Sequence, residues 1–211
     1  MKITVIGAAG GVGRRVVHQA AQAGHAVTAL VRTQEQADMV ALHGAVPILG
    51  DLTGDWQHAL DGAEAVVWAA GAGTSGRYQA IDGDALIALT DELAGRAAQG
   101  GLRRLVVVSS MGVDRPDQMP PFLNAVLRVK ATSDAHVQAS GLDWTILRPG
   151  GLTDTPGTGQ VSAGMPAPRG MIPRDDVAAA VLAALEQPGS AGQTTELVSG
   201  STPVREAIGG Q

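Results

Sequence analysis

The chain has no cysteine, one tyrosine, one phenylalanine and only two lysines in 211 residues. Without cysteine, disulfides and thiolate metal sites are excluded. Three tryptophans bring the aromatic total to five, so the core must be aliphatic, built from Val, Ile, Leu and Ala. There is no basic block, and the net charge is −5. That balance argues against nucleic acid as the main partner and offers no anchor for anionic lipid. No apolar run reaches transmembrane length, and the opening MKITVIGAAG is too short and too glycine-rich for a signal peptide. The expectation is a cytoplasmic protein with a small-molecule partner.

What is present points to an ordinary globular domain. Hydrophobic residues make up 45% and charged residues 17%, outside the disordered range. The length suits one sizeable core rather than two, so residues 1–211 are read as one domain. Short β-branched runs alternate with Ala- and Leu-rich stretches. KITVIG, HAVTALVR, AVPILGD, AEAVVWAAG, LRRLVVVSS, DWTILRPGG and TTELVSG read as strands. GVGRRVVHQAAQAG, TQEQADMVALHG, DGDALIALTDELAGRAAQGG, residues 122–140 and IPRDDVAAAVLAALEQ read as helices. Strands that are apolar throughout, separated by helices, imply a parallel sheet covered on both faces. Right-handed crossovers then give a doubly wound α/β (Rossmann) fold. The stretch GGLTDTPGTGQVSAGMPAPRG is the one long loop-like region, a short substrate-side extension near the C-terminus.

Directly after the first strand, GAAGGVG spaces Gly7, Gly10 and Gly13 three residues apart. In a chain with 29 glycines the spacing alone carries little weight. Its place between a strand and a helix carries the argument. Glycine permits the tight turn and lets a diphosphate approach the backbone, and the helix N-terminus supplies free N–H groups. The second strand ends in ALVRT, where an acidic residue would favour NAD by binding the ribose diol. Arg32 stands there instead, and a guanidinium suits a 2′-phosphate. NADP(H) is therefore the expected cofactor. Asp51 and Leu52, at the end of the third strand, could accept from the adenine amine and cover its ring. A turn or helix-capping role for Asp51 is the alternative.

Taken together, GAAGGVG, VR, GDL, WAAG, VVVSSMG, a lysine on the next helix and SGLDWTILRPGGLTD resemble an atypical short-chain dehydrogenase/reductase. The nearest group is the small NAD(P)-binding proteins related to biliverdin-IXβ and flavin reductases and to NmrA-like redox sensors. The resemblance covers nearly the whole chain. It implies that Gly7, Ala9, Gly10, Gly11, Val12 and Gly13 cradle the diphosphate, and that Arg32 meets the 2′-phosphate. Asp51 and Leu52 would meet the adenine. Ala69, Ala70 and Gly71 would line the ribose side, with Ser109 and Ser110 beside the nicotinamide. Pro149, Gly150, Gly151 and Leu152 would border its carboxamide.

In the better-known branch of that superfamily a YxxxK pair performs the proton transfer. Lys130 matches the lysine, but the tyrosine position is Val126, which carries no proton. The single tyrosine, Tyr78, lies in the polar loop GTSGRYQ. Lys130 is then read as a ribose ligand rather than half of a catalytic pair. Hydride transfer survives without the tyrosine when the acceptor takes its proton from water, as flavins and quinones do. A carbonyl acceptor would need a positioned donor, for which Ser109, Ser110 and Tyr78 are the candidates. Capping at a strand end is the other reading of the two serines. The expected function is an NADP(H)-dependent reductase acting on a small or planar acceptor. A non-catalytic NADP(H) sensor reporting to a protein partner, and an epimerase-like protein, are the alternatives. The five histidines lack metal spacing and are read as surface residues. Asp175 and Asp176 are read as helix-start carboxylates, and Trp68 and Trp144 as core.

Overall fold

The computed structural model describes residues 1–209. The parallel strands begin as β1 (Lys2–Ile6), β2 (Ala26–Val31), β3 (Ala45–Leu49), β4 (Ala65–Trp68), β5 (Arg104–Val108) and β6 (Asp143–Pro149). They are followed by β7 (Gly151–Thr153), β8 (Gln160–Gly164), β9 (Met171–Pro173), β10 (Gln193–Ser199) and β11 (Thr202–Pro203). Six α-helices are α1 (Gly13–Gln22), α2 (Gln34–Leu42), α3 (Leu86–Ala98), α4 (Asn124–Ala139), α5 (Arg174–Glu186) and α6 (Val204–Gly209).

Nine strands form one sheet in the order β11-β8-β10-β6-β5-β4-β1-β2-β3. From β3 to β10 every neighbouring pair is parallel, as the doubly wound reading requires, and β8 joins β10 antiparallel. Successive side chains of a strand point to opposite faces, so strands apolar throughout bury both. Val5, Val67, Val106 and Leu147 meet α1, α5 and α6 on one side. Ile6, Trp68, Leu105 and Ile146 meet α3 and α4 on the other. Each fully buried aliphatic side chain contributes about 1.5–3 kcal/mol. Trp68 is core as expected, and Trp144 is half-buried at the margin of the same core cluster. The chain runs outward from β1 through β3 and returns to β4 on the other side of β1. That reversal opens a crevice beyond the carboxyl ends of β1 and β4, where ligands bind in such sheets.

Four expectations need correction. The Gly-, Pro- and Thr-rich stretch after β6 is structured. β7 and β9 pair as a small parallel sheet, and β8 extends the main one. Its short strands lack a long apolar run because neighbouring elements, not their own periodicity, supply their partners. Asp176, buried at the start of α5, does more than favour the helix dipole. Its carboxylate accepts the amides of Thr158 and Gly159 at 3.0 and 2.8 Å. The helix expected to start near Asp82 begins earlier, as a π-helical turn over Gln79–Ala85 that leads into α3. The histidines are not all surface residues either: His25 is half-buried between the N-terminus and Glu186.

Glu196 on β10 is fully buried. Its carboxylate accepts the amides of Gly112 and Ala167, both at 3.0 Å, and the Arg115 guanidinium at 2.7 Å. It thereby ties the segments after β5 and β8 to the sheet. Burial alone pushes this carboxyl up, but Arg115 and the two amides outweigh it and hold it below the ordinary range. Its stabilising effect is therefore complete at neutral pH and is lost as pH falls through the lowered value. Glu196→Gln should cost about 2 kcal/mol at pH 7, read as a fall of about 4–8 °C in thermal midpoint. The gap between the two proteins should narrow below about pH 4. A gap that stays constant across thermal melts from pH 7 to pH 3 would show that the carboxylate charge is not what holds these segments.

Candidate functional site

The crevice at the switch point is a cleft of about 350 Å³. Gly7 leaves β1 with φ +83°, a conformation open to glycine. A Cβ there would overlap the Ala70 nitrogen and the Ala69 carbonyl carbon, and one at Gly13 would overlap the Gly7 carbonyl. The loop is thus pressed between the end of β4 and the start of α1. Among the described residues, the amides of Gly11, Val12 and Gly13 donate to no backbone carbonyl. Unpaired amides at a helix start form a cradle for an anion. The residues present therefore fit a dinucleotide: a loop whose glycines carry no side chains, free amide donors and a flanking cleft.

Half of the residues expected to touch the cofactor line this one cleft: Gly7, Ala9, Gly10, Arg32, Asp51, Leu52, Ala69, Ala70 and Gly71. Gly11 and Val12 continue the same turn and Gly13 opens α1, outside the lining of the cleft. Thr33 caps α2 by accepting the Gln36 amide, and the Gln36 side chain accepts the Arg32 amide at 2.9 Å. This reciprocal pair fixes the backbone from which the Arg32 side chain enters the cleft wall. Asp51 takes part in a turn as well as in the cleft. Its Oδ1 accepts from the Thr53 hydroxyl at 2.6 Å and amide at 2.8 Å. Those bonds hold its carboxyl below the ordinary value, with Arg32 and Arg77 adding to the effect. Arg77 lines the same cleft and was not among the expected residues. No motif marks it, since it comes from the irregular loop after β4.

Ser109, Ser110 and Lys130 lie beyond that cleft, toward β5 and α4. Ser109 is not a strand-end cap. Its buried hydroxyl donates to Asp134 Oδ2 at 3.0 Å. The same oxygen accepts from Arg148 Nε at 3.0 Å and lies 2.9 Å from its Nη2. Burial pushes the Asp134 carboxyl up, while Arg148, Ser109 and Lys130 pull against it; the net displacement is upward. Ser110 is half-buried, and among the described residues its hydroxyl makes only a long 3.4 Å contact with the Met111 carbonyl. Of the two serines it has the hydroxyl less engaged by the protein. Tyr78 is half-buried just before the π-helical turn and does not line the cleft.

Lys130 is neither a surface lysine nor an isolated one. Its Nζ lies 2.9 Å from Asp82 Oδ1, with the side chains 14% and 2% exposed. Asp82 Oδ2 accepts the Ala72 amide at 2.9 Å, and the Ser133 hydroxyl donates to the Asp82 carbonyl at 2.8 Å. The π-helical turn turns Asp82 inward, so α4, this turn and the loop after β4 meet at one ion pair. Val126 stands one helical turn before Lys130 on α4. Pro149, Gly150, Gly151 and Leu152 occupy the end of β6 and β7. There the Gly150 amide donates to Leu197 and the Gly151 amide to Gly170.

The profile of the NAD(P)H-binding family matches residues 7–188, and the chain belongs to that family. It is 35% identical to YhfK of Bacillus subtilis (strain 168), named as an uncharacterized sugar epimerase, over 99% of each chain. Its structure superposes on a candidate NAD-dependent epimerase/dehydratase from Bacillus halodurans with a TM-score of 0.93, 32% identity and 100% coverage of both. It also superposes on ChuY, an anaerobillin reductase from Escherichia coli O157:H7. That match has a TM-score of 0.81 and 27% identity over 94% of this chain and 97% of the other. The fold is thus that of NAD(P)H-binding, oxidoreductase-like proteins. No helix among the described residues is long and apolar enough to cross a membrane.

The buried pair predicts a specific non-additivity. Asp82→Asn alone should cost about 3 kcal/mol, because it strands a charge at Lys130. Adding Lys130→Met should recover part of that loss. Denaturant unfolding of both single variants and the double variant measures the coupling, and strictly additive losses would contradict a direct pair.

Proposed function

We propose that the protein is an NADP(H)-dependent reductase that passes hydride to a small or planar acceptor of flavin or quinone type. The observation that carries this reading is the pair of arginines, Arg32 and Arg77, on the wall of one cleft. No carboxylate stands at the end of β2, where a ribose diol would be held. Two guanidiniums suit the added charge of a 2′-phosphate. Gly7, Ala9, Gly10, Gly11, Val12 and Gly13 would carry the diphosphate, and Asp51 and Leu52 the adenine. Ala69, Ala70, Gly71 and Lys130 would line the ribose side. Pro149, Gly150, Gly151 and Leu152 would border the nicotinamide.

When bound, the nicotinamide supplies the hydride. The chain's own part is orientation. Lys130, held by Asp82, fixes the position of a cation beside the ribose, and Ser110 offers a hydroxyl to an acceptor oxygen. Val126 provides no acid, so an acceptor whose reduced form takes its proton from water fits best. The reductase name of ChuY supports such an acceptor, while the sugar-epimerase name of YhfK points to a sugar; turnover separates the two.

The test has two arms. Arg32→Ala and Arg77→Ala should each weaken NADPH by about 10–100-fold, as expected for a lost charge-assisted contact of about 1.5–3 kcal/mol. NADH binding should change little. Equal losses for both nucleotides in a fluorescence titration would remove the basis of the cofactor choice. In the second arm, NADPH should be oxidised in the presence of FMN or a soluble quinone. Tight NADPH binding with no turnover on either acceptor would refute the reductase assignment.

A further inference from the structure

Gly11 sits in the middle of the phosphate loop, and the side chain over it belongs to another element. A Cβ at position 11 would lie 2.8 Å from Arg174 Nε and 3.0 Å from Arg174 Cδ. The absence of a side chain at Gly11 thus makes room for an arginine from the start of α5. Arg174 is 25% exposed, and its Nη1 lies 3.0 Å from Asp154 Oδ2. Asp154 follows β7, is 67% exposed, and is shared: its Oδ1 pairs with Arg15 Nη2 at 3.2 Å. Arg15 is committed elsewhere too, to the Gly11 carbonyl at 2.8 Å and to Asp175 at 3.1 Å. Among the described residues, Asp154 is the one carboxylate paired with Arg174. An exposed ion pair on a shared carboxylate is weak. A diphosphate over the free amides of Gly11, Val12 and Gly13 would bring two negative charges to the loop that Arg174 already overlies.

We propose that Arg174 is a diphosphate-binding residue, and that Asp154 holds it in competition with the nucleotide. On binding, the guanidinium would exchange one carboxylate for a phosphate oxygen, an exchange its planar fork makes readily. Asp154, on the segment after β7, would lose its ion pair to α5 in the same event and keep the one to Arg15 on α1. This assignment rests on the NADP(H)-binding reading above and names a residue of that same site which lies far from the glycine motif in sequence.

The two members of the pair should act with opposite sign. Arg174→Met should weaken NADPH by about tenfold, the loss of one charge-assisted contact. It should leave adenosine 2′-monophosphate, which has no diphosphate, bound as before. Asp154→Asn should tighten NADPH by about threefold by removing the competitor. Calorimetric titration of the unsubstituted protein and both variants with the two ligands reads these effects, and thermal melts check that each variant is folded. Opposite shifts for NADPH with constant adenosine 2′-monophosphate binding support the assignment. If both substitutions weaken NADPH alike, or Arg174→Met weakens both ligands alike, the pair is a structural tie and the assignment fails. Unchanged NADPH binding in both variants also overturns it, leaving the cofactor reading intact. Absence of NADPH binding to the unsubstituted protein overturns both.

Discussion

The arrangement depends on one close approach of backbone to backbone. Where β1 and β4 part at the switch point, Gly7 touches the main chain at Ala69 and Ala70, and Gly13 touches the Gly7 carbonyl. A methyl group at Gly13 would push the loop off α1, and one at Gly7 would push away the end of β4. The loop after β4 would move with it, and that loop is held to Asp82 through the Ala72 amide. Asp82 in turn holds Lys130. A contact without side chains therefore governs both the glycine loop and the lysine on the far side of the candidate site.

In a chain this poor in aromatics and without cysteine, buried carboxylates organise the loops. Asp82 joins α4 to the loop after β4, and Asp134 joins α4 to β5 and β6 through Ser109 and Arg148. Glu196 gathers the segments after β5 and β8, and Asp176 gathers the turn before β8. Each sits beside the carboxyl edge of the sheet, where loops meet and apolar packing is thin. Such a charge is expensive to bury unless paired. These carboxylates answer that cost with a cation, backbone amides or both. A buried oxygen of Asp134 is the exception, since Oδ1 has no partner among the described residues.

The site was legible where its chemistry is local. GAAGGVG after a strand, Arg32 at the end of β2 and Asp51 at the end of β3 are all short-range patterns, and the fold brings them to one cleft. Arg77, Asp82, Asp134 and Arg174 were not marked, because each acts through a residue distant in sequence. Asp82 and Lys130 are 48 positions apart yet 2.9 Å in space. Residues 150–170 read as loop because strands of three and five residues set among Gly and Pro are too short to show a period. Their strands form only because β9 and β10 lie alongside them. Ser109 and Ser110 look equivalent in VVVSSMG. They differ in the structure because alternation along the chain turns one toward Asp134 and leaves the other half-exposed.

Sequence alone determined the doubly wound sheet, the place of the glycine loop and the absence of a tyrosine one turn before Lys130. Those properties follow from hydrophobic periodicity, from glycine's missing Cβ and from residue identity at fixed helical spacing. Only the tertiary structure decided which carboxylate holds Lys130, which serine keeps its hydroxyl less engaged, and which arginines face the cleft and the glycine loop. Those outcomes depend on charges being removed from water together, and that happens only when distant segments are packed against each other.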